Sequence, residues 1–302
     1  MSQSPSTADS RTVLGYDRTT VVADLAGVAA VGVLLVAIHL LLPASAHDRL
    51  AFDHAAFAPV ASLAADGLGS LAVGRSQLDN LLTAAYVHAG SGHLLSNLGG
   101  YVSLAVVTYL VCLHADRRSW FRWTVPVFLV VLPVTVNLTS YALLAARFPD
   151  TSPISRGFSG VVAGFGGFLV VAVAVHLRRT YARETVLFVG LFAATLLVAE
   201  LLWIYAPRIS LLEGGTVAVG LAVSVSGILA RGHEATYGDA HYRRVGQDLL
   251  YVGLVLALLV WLVYGLFPAD PLAHGAFTNV FAHGAGFVEG GLFAALTYVA
   301  VR

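Results

Sequence analysis

The 302-residue chain contains no lysine, and charged residues of either sign are scarce. Its 17 basic side chains are all arginine, 17 acidic residues balance them, and charged residues make up only 11% of the chain. Soluble domains carry about 25% charged residues. This composition therefore excludes an ordinary soluble globular protein and a disordered chain. A formal net charge of zero also leaves no basic field to attract nucleic acid.

Cysteine is almost absent as well. Cys112 is the only cysteine in the sequence, which excludes a disulfide framework and a thiolate metal cluster. The residues imply no metal, nucleotide or organic cofactor, so we expect none.

Apolar residues are abundant: they make up 58% of the chain, and the mean hydropathy is +0.80. A helix that crosses a bilayer needs about 20 apolar residues. Eight segments have this length, so the sequence predicts an all-α polytopic membrane protein in the lipid bilayer. The predicted spans are at about 21–43, 88–114, 120–146, 157–177, 184–206, 210–230, 247–267 and 275–301.

The arginines predict the orientation of these spans. Eight spans place both chain ends on one side, which then holds most of the arginine, as expected of a cytoplasmic face. These arginines are Arg11, Arg18, Arg117, Arg118, Arg122, Arg178, Arg179, Arg183, Arg231, Arg243, Arg244 and Arg302. Residues 1–20 are predicted to be a cytoplasmic polar tail and 21–302 the membrane domain, with an outer loop at 44–87 that includes an interfacial segment. Arginine without lysine, with abundant alanine, valine and glycine, is typical of GC-rich prokaryotic genomes, so we expect a prokaryotic plasma membrane.

Polar residues inside predicted spans are costly, so each is a candidate for function or for an internal contact. His88, His93 and Asn97 form the first group, at the start of the second span. His93 and Asn97 are four residues apart and share one helix face, whereas His88 lies nearer the helix entrance. The group fits hydrogen bonding between helices. A metal site is the other interpretation, although no nearby carboxylate or cysteine would complete it.

The second and third groups each place one polar side chain among small residues. Ser159 lies near the start of the fourth span, and His283 lies in the last span. The small residues on the same helix face are Ala163 and Gly166 for Ser159, and Gly286 and Gly290 for His283. Small residues allow a partner helix to approach closely, so either group taken alone is typical of packing.

Depth in the membrane predicts that the three groups meet. Asn97, Ser159 and His283 each lie 19 or 20 residues before an arginine at the cytoplasmic end of the span, namely Arg117, Arg178 and Arg302. At about 1.5 Å per residue, each is about 28–30 Å from that boundary. We therefore expect the three residues to converge in a water-accessible cavity near the outer face.

Such a group of residues can perform acyl transfer. A serine hydroxyl needs a base to accept its proton, and histidine suits that role near neutral pH. An asparagine amide and a second histidine can stabilise the oxyanion. No acidic residue lies on the His283 face of the helix at the same depth in the membrane, since Glu289 is about 120° around the helix from His283. The sequence thus predicts a Ser–His dyad in which packing orients the imidazole.

These groups, in this order, resemble the motifs of the rhomboid family of intramembrane serine proteases. The matching elements are H-x4-H-x3-N at 88–97, G-x-S-G-x3-G at 157–164 and A-H-x2-G-x3-G at 282–290. The resemblance implies a rhomboid-like helical bundle that cleaves transmembrane protein substrates without a cofactor. It implies Ser159 as nucleophile, His283 as general base, Asn97 and His93 as oxyanion stabilisers, and His88, Gly157, Gly160, Gly286 and Gly290 as supporting residues.

The chain departs from the family pattern in three ways, one of which is that Asp79-Asn80 stands where rhomboids often have a Trp-Arg pair. Three predicted spans separate the serine and histidine helices, where the basic six-span rhomboid has one. Because both numbers are odd, the serine and histidine helices still cross the membrane in the same direction. One of the three spans could be re-entrant. Ala163 stands where many rhomboids have an aromatic residue that packs on the histidine ring. His274 is not expected to be the base, because Phe277 interrupts the small-residue stripe that His283 possesses.

Two other functions remain open at this point. A catalytically silent rhomboid-like protein that binds membrane clients is favoured by Ala163 and the additional spans. A polytopic transporter with coincidental motifs would suit the glycine-interrupted spans, although no clear inverted repeat is visible. Glu200 and Glu213 are unexplained in every case, and we expect them near the outer interface.

Overall fold

The computed structural model describes residues 12–61, 78–148, 153–232, 239–271 and 278–301. Within these ranges, eight helices are long and apolar enough to cross a membrane, as the sequence predicts. The protein is therefore an all-α polytopic membrane protein. The eight helices are α1 Arg18–Leu41, α2 Ser91–His114, α3 Arg118–Arg147, α4 Ser159–Leu177, α5 Arg183–Tyr205, α6 Leu211–Gly232, α7 Asp239–Leu266 and α8 Val280–Ala300.

Short elements surround the long helices. Two short helices, Ala44–Leu50 and His54–Ala61, follow α1, and a 3-10 turn, Ala84–Tyr86, precedes α2. Two antiparallel ladders add strands to the predicted all-α architecture: β1 Thr12–Val13 pairs with β2 Tyr16–Asp17, and β3 Phe52–Asp53 pairs with β4 Ile154–Ser155. The second ladder pairs a strand from the segment after α1 with a strand from the segment before α4. Residues 62–77 of the predicted outer loop lie outside the described residues.

The helices that carry the candidate residues begin later than predicted. α2 begins at Ser91, so His88 lies before the helix, and α4 begins at Ser159. α8 begins only at Val280, because Asn279 caps it: the Asn279 Oδ1 accepts a hydrogen bond from the Ala282 N–H at 3.1 Å. His283 consequently lies in the first turn of α8, just as Ser159 lies in the first turn of α4.

α4 is the central helix of the bundle, and α5 and α6 lie at its periphery. In the most apolar 18-residue window of each helix, 72% of the residues are buried in α4, 0% in α5 and 6% in α6. α5 and α6 pack against each other, with Gly220 against Thr195 and Gly227 against Phe188. α5, α6 and α7 are continuous and long enough to cross a membrane, so none of them needs to be re-entrant.

α4 and α8 make backbone contact along a stripe of glycines. A β-carbon at Gly286 would overlap the carbonyl of Gly160, and one at Gly290 would overlap the backbone of Gly164. These pairs advance in the same direction along both helices, so α4 and α8 run parallel. Two membrane helices separated by an odd number of spans run in the same direction, so the parallel packing agrees with the three predicted intervening spans.

The glycine stripe differs by one residue from the face expected in α4. We expected a partner helix to approach the face of Ala163 and Gly166; Gly166 does face α8, but Gly160, Gly164 and Gly167 make the close backbone contacts with it. Gly166 lies between Leu262 of α7 and Phe287 of α8. The reason for the difference is that Ser159 lies beside the stripe and reaches α8 from its edge.

We predict that Gly290→Ala separates α4 from α8 and lowers the free energy of unfolding by about 1–3 kcal/mol, because a backbone cannot yield to a methyl group as a side chain can. The measurement is unfolding of the purified protein in detergent. Gly284→Ala is the matched control on the same helix, because a β-carbon there meets no atom within 4 Å. Equal stability of the two variants would contradict the close contact.

Candidate active site

Ser159 and His283 are hydrogen-bonded to each other. The Ser159 Oγ lies 2.8 Å from the His283 Nε2, and His283 is only 5% exposed. The parallel packing of α4 on α8 produces this contact, because both side chains come from the first turns of adjacent helices. The pair has the geometry that a serine nucleophile and its base require.

A backbone carbonyl orients the imidazole of His283. The His283 Nδ1 lies 2.5 Å from the carbonyl oxygen of Leu266, the last residue of α7. A carbonyl oxygen can only accept a hydrogen bond, so Nδ1 carries the proton and Nε2 is free to accept one from Ser159. We expected packing alone to orient the ring. The hydrogen bond to Leu266 corrects this expectation.

The sequence explains why the Leu266 carbonyl is available. The last four carbonyls of an α-helix have no partner within the helix. Pro268 lacks an N–H group and disfavours helical geometry at the residue before it, so α7 ends at Leu266. The Leu266 carbonyl can therefore accept the hydrogen bond from α8.

The turn before Ser159 is built around Gly157. Gly157 has a φ of +117°, which favours glycine, and a β-carbon there would lie 2.5 Å from the Cε1 of His93. The Gly157 N–H donates to the Ala84 carbonyl at 2.9 Å. His93 of α2 thus lies directly against the turn that presents Ser159.

His88 supports the same turn from outside the helix. Its Nε2 accepts a hydrogen bond from the Phe158 N–H at 3.4 Å. Burial, reinforced by the neighbouring His93, lowers the pKa of His88 to about 3. The imidazole is therefore neutral near pH 7 and keeps its acceptor for Phe158.

Asn97 offers an unused donor to the site. Its Nδ2 would lie 3.2 Å from a β-carbon at Gly157, and the residue is 4% exposed. The Nδ2 is buried and finds no hydrogen-bond partner among the described residues. Because Asn97 also lines the cavity described below, this N–H group is available as a donor to a group bound there.

A cavity of about 630 Å³ joins these residues. Its lining contains Ser159, His283, Asn97 and His93 as well as Gly157 and Gly160. The structure thus brings the predicted nucleophile, base and oxyanion residues to one wall. His88 lies behind this wall, and Gly286 and Gly290 hold α8 against α4.

The rest of the lining contains polar residues that sequence reasoning missed. Asn279 and Ser155 line the cavity, and the Asn279 Nδ2 donates to the Ser155 hydroxyl at 3.1 Å. Two residues that are not part of the lining contact this pair: the Ser140 hydroxyl accepts from the Asn279 Nδ2 at 2.6 Å, and the His54 Nε2 lies 3.0 Å from the Ser155 Oγ. Burial lowers the pKa of His54 to about 4, so this histidine is neutral near pH 7. Arg156, which also lines the cavity, forms an ion pair with Asp48 at 2.8 Å. The one sequence feature that could have predicted a role for these residues is their polar character in a mostly apolar chain.

Two of the remaining acidic residues, Glu289 and Glu213, accept hydrogen bonds within the described structure. Glu289 accepts hydrogen bonds from the hydroxyls of Thr135 and Thr139 of α3, both at 2.6 Å, and does not contact His283. Glu213 accepts from the Ser210 N–H and hydroxyl at 2.8 Å each, as in a capping box at the start of α6. Glu200 Oε2 is buried in α5 without a hydrogen-bond partner among the described residues. His274 lies outside the described residues.

No group of three or more His, Cys, Asp or Glu side chains could hold a metal ion within the described part of the chain. Comparison with known proteins finds no match: no protein-family model, no curated protein and no solved structure is significantly similar to the chain.

Proposed function

We propose that the protein is a rhomboid-type intramembrane serine protease that hydrolyses peptide bonds in or next to transmembrane helices of membrane proteins. The observation that carries this proposal is the 2.8 Å contact between Ser159 Oγ and His283 Nε2 at the wall of a large cavity. The resemblance of the three motifs to rhomboids adds the class of substrate, and the arginine-rich, lysine-free composition adds a prokaryotic plasma membrane as the location.

His283 acts as the general base in the first step. Its Nε2 accepts the hydroxyl proton while Ser159 Oγ attacks the scissile carbonyl and forms a tetrahedral intermediate. The imidazolium then donates this proton to the amine nitrogen as the C–N bond breaks, which releases the amine and leaves an acyl-enzyme. Water that enters the cavity gives a proton to Nε2 as it attacks the ester carbonyl, and the imidazolium returns this proton to Ser159 Oγ as the C–O bond of the ester breaks.

Asn97 and the start of α4 stabilise the oxyanion. The unpartnered Asn97 Nδ2 is a donor that can hydrogen-bond to a new negative charge without breaking an existing bond. The first N–H groups of α4, including that of Ser159, have no partner within the helix, and the helix dipole favours a negative charge there. His93, adjacent to Gly157, supplies a further imidazole on the same side.

A catalytically silent protein that binds membrane clients is a weaker interpretation of this site. Client binding requires neither a serine–imidazole hydrogen bond nor a fixed imidazole tautomer, yet both are present.

Ser159→Ala and His283→Ala are each expected to abolish cleavage of a transmembrane test substrate in proteoliposomes, because residues that act as a unit lose nearly all activity when either is removed. Thermal unfolding should show that both variants remain folded. His274→Ala is the matched control, since the same Ala-His-Gly tripeptide surrounds His274. An inactive His274→Ala variant with an active His283→Ala variant would overturn the assignment of the base.

Asn97→Ala is expected to lower turnover by about 10²–10³-fold, the usual loss for one oxyanion donor. Its unfolding temperature should not fall, because the Asn97 Nδ2 has no hydrogen bond to lose within the described part of the chain. Asn80→Ala is the matched control: its Nδ2 donates to the carbonyls of Arg49 at 2.9 Å and Ala51 at 2.8 Å. The control should lose stability but keep its turnover. Turnover of Asn97→Ala within about threefold of the parent would exclude Asn97 from the catalytic residues.

A further inference from the structure

The ring of His283 lacks an aromatic neighbour on α4. Ala163 is buried one turn after Ser159, and its methyl group offers no flat surface to an imidazole. The hydrogen bond between Nδ1 and Leu266 fixes one point of the ring but leaves rotation about that point. A second contact is needed to keep Nε2 directed at the Ser159 Oγ.

Phe267 provides an aromatic contact from a different helix. Its ring centroid lies 6.0 Å from that of His283, and the two planes make an angle of 80°. This edge-to-face arrangement is a preferred geometry for aromatic pairs. Phe267 is partly buried and follows directly after Leu266 in the chain.

The end of α7 explains why both contacts come from consecutive residues. The Phe267 N–H donates to the Val263 carbonyl at 2.9 Å, which holds residue 267 against the last helical turn. Pro268 then stops the helix. The Leu266 carbonyl and the Phe267 ring therefore both reach His283 from the same turn.

We propose that Phe267 is a positioning residue for His283, and that it takes the place of an aromatic residue at position 163. This inference rests on the proposed function, because it assigns a role in orienting the base. It also assigns a function to α7: the helix end supplies both the hydrogen-bond acceptor and the aromatic contact that define the active imidazole.

The test compares the kinetics of Phe267→Leu and Phe267→Ala with those of the parent on one transmembrane substrate. Misplacement of a catalytic group by about 1 Å can lower a rate about 100-fold. We expect kcat to fall by about tenfold to 100-fold in both variants, with KM within about threefold of the parent. Phe267→Leu keeps most of the buried volume and so preserves the fold, and Phe267→Tyr keeps the ring and should restore kcat.

Tyr264→Ala is the matched control, because it removes an aromatic ring from the same end of α7 where the side chain is 74% exposed. Its kcat should equal that of the parent. The inference is overturned if Phe267→Leu keeps the parent kcat, if only KM changes, or if Phe267→Tyr fails to restore kcat. These outcomes differ from failure of the proposed function, in which the parent itself shows no cleavage that depends on Ser159.

Discussion

The backbone contact between α4 and α8 is the constraint on which the candidate site depends. Lipid is as apolar as the helix surfaces, so helices in a membrane associate mainly through close packing and hydrogen bonds. The glycine pairs Gly160–Gly286 and Gly164–Gly290 allow backbones to touch, and this contact sets the first turns of two parallel helices side by side. The serine hydroxyl and the imidazole nitrogen then lie 2.8 Å apart.

The polar parts of the site show how a base can be oriented without a buried charge. A carboxylate beside His283 would have to be held inside the membrane, where an ionised side chain costs about 2.5–3.5 kcal/mol or more. The Leu266 carbonyl fixes the same tautomer as a neutral acceptor. Because α5 and α6 pack against each other at the periphery, the three helices between α4 and α8 still place the end of α7 in the cavity lining.

Much of the architecture could be predicted from the sequence. The number of spans depends on the length of the apolar segments, and the convergence of Ser159, His283 and Asn97 depends on their depth in the membrane. The face of α4 that packs on α8 differs by one residue from the predicted face, because the rotation of a helix about its axis depends on the helix it packs against. The role of the Leu266 carbonyl could not be predicted, because every residue carries a backbone carbonyl, although Pro268 predicts the end of the helix.

The capping role of Glu213 could have been predicted, because Ser210-Leu-Leu-Glu213 has the spacing of a capping box. The relationship to rhomboids stays a prediction.

Labelling with a fluorophosphonate serine probe tests the central claim most directly. The probe reacts with an activated serine and requires no knowledge of the natural substrate. The account predicts that the parent protein in native membranes is labelled at Ser159, as located by mass spectrometry, and that His283→Ala loses the label. Labelling of His283→Ala at the parent rate, or of another serine in Ser159→Ala with equal yield, would contradict it.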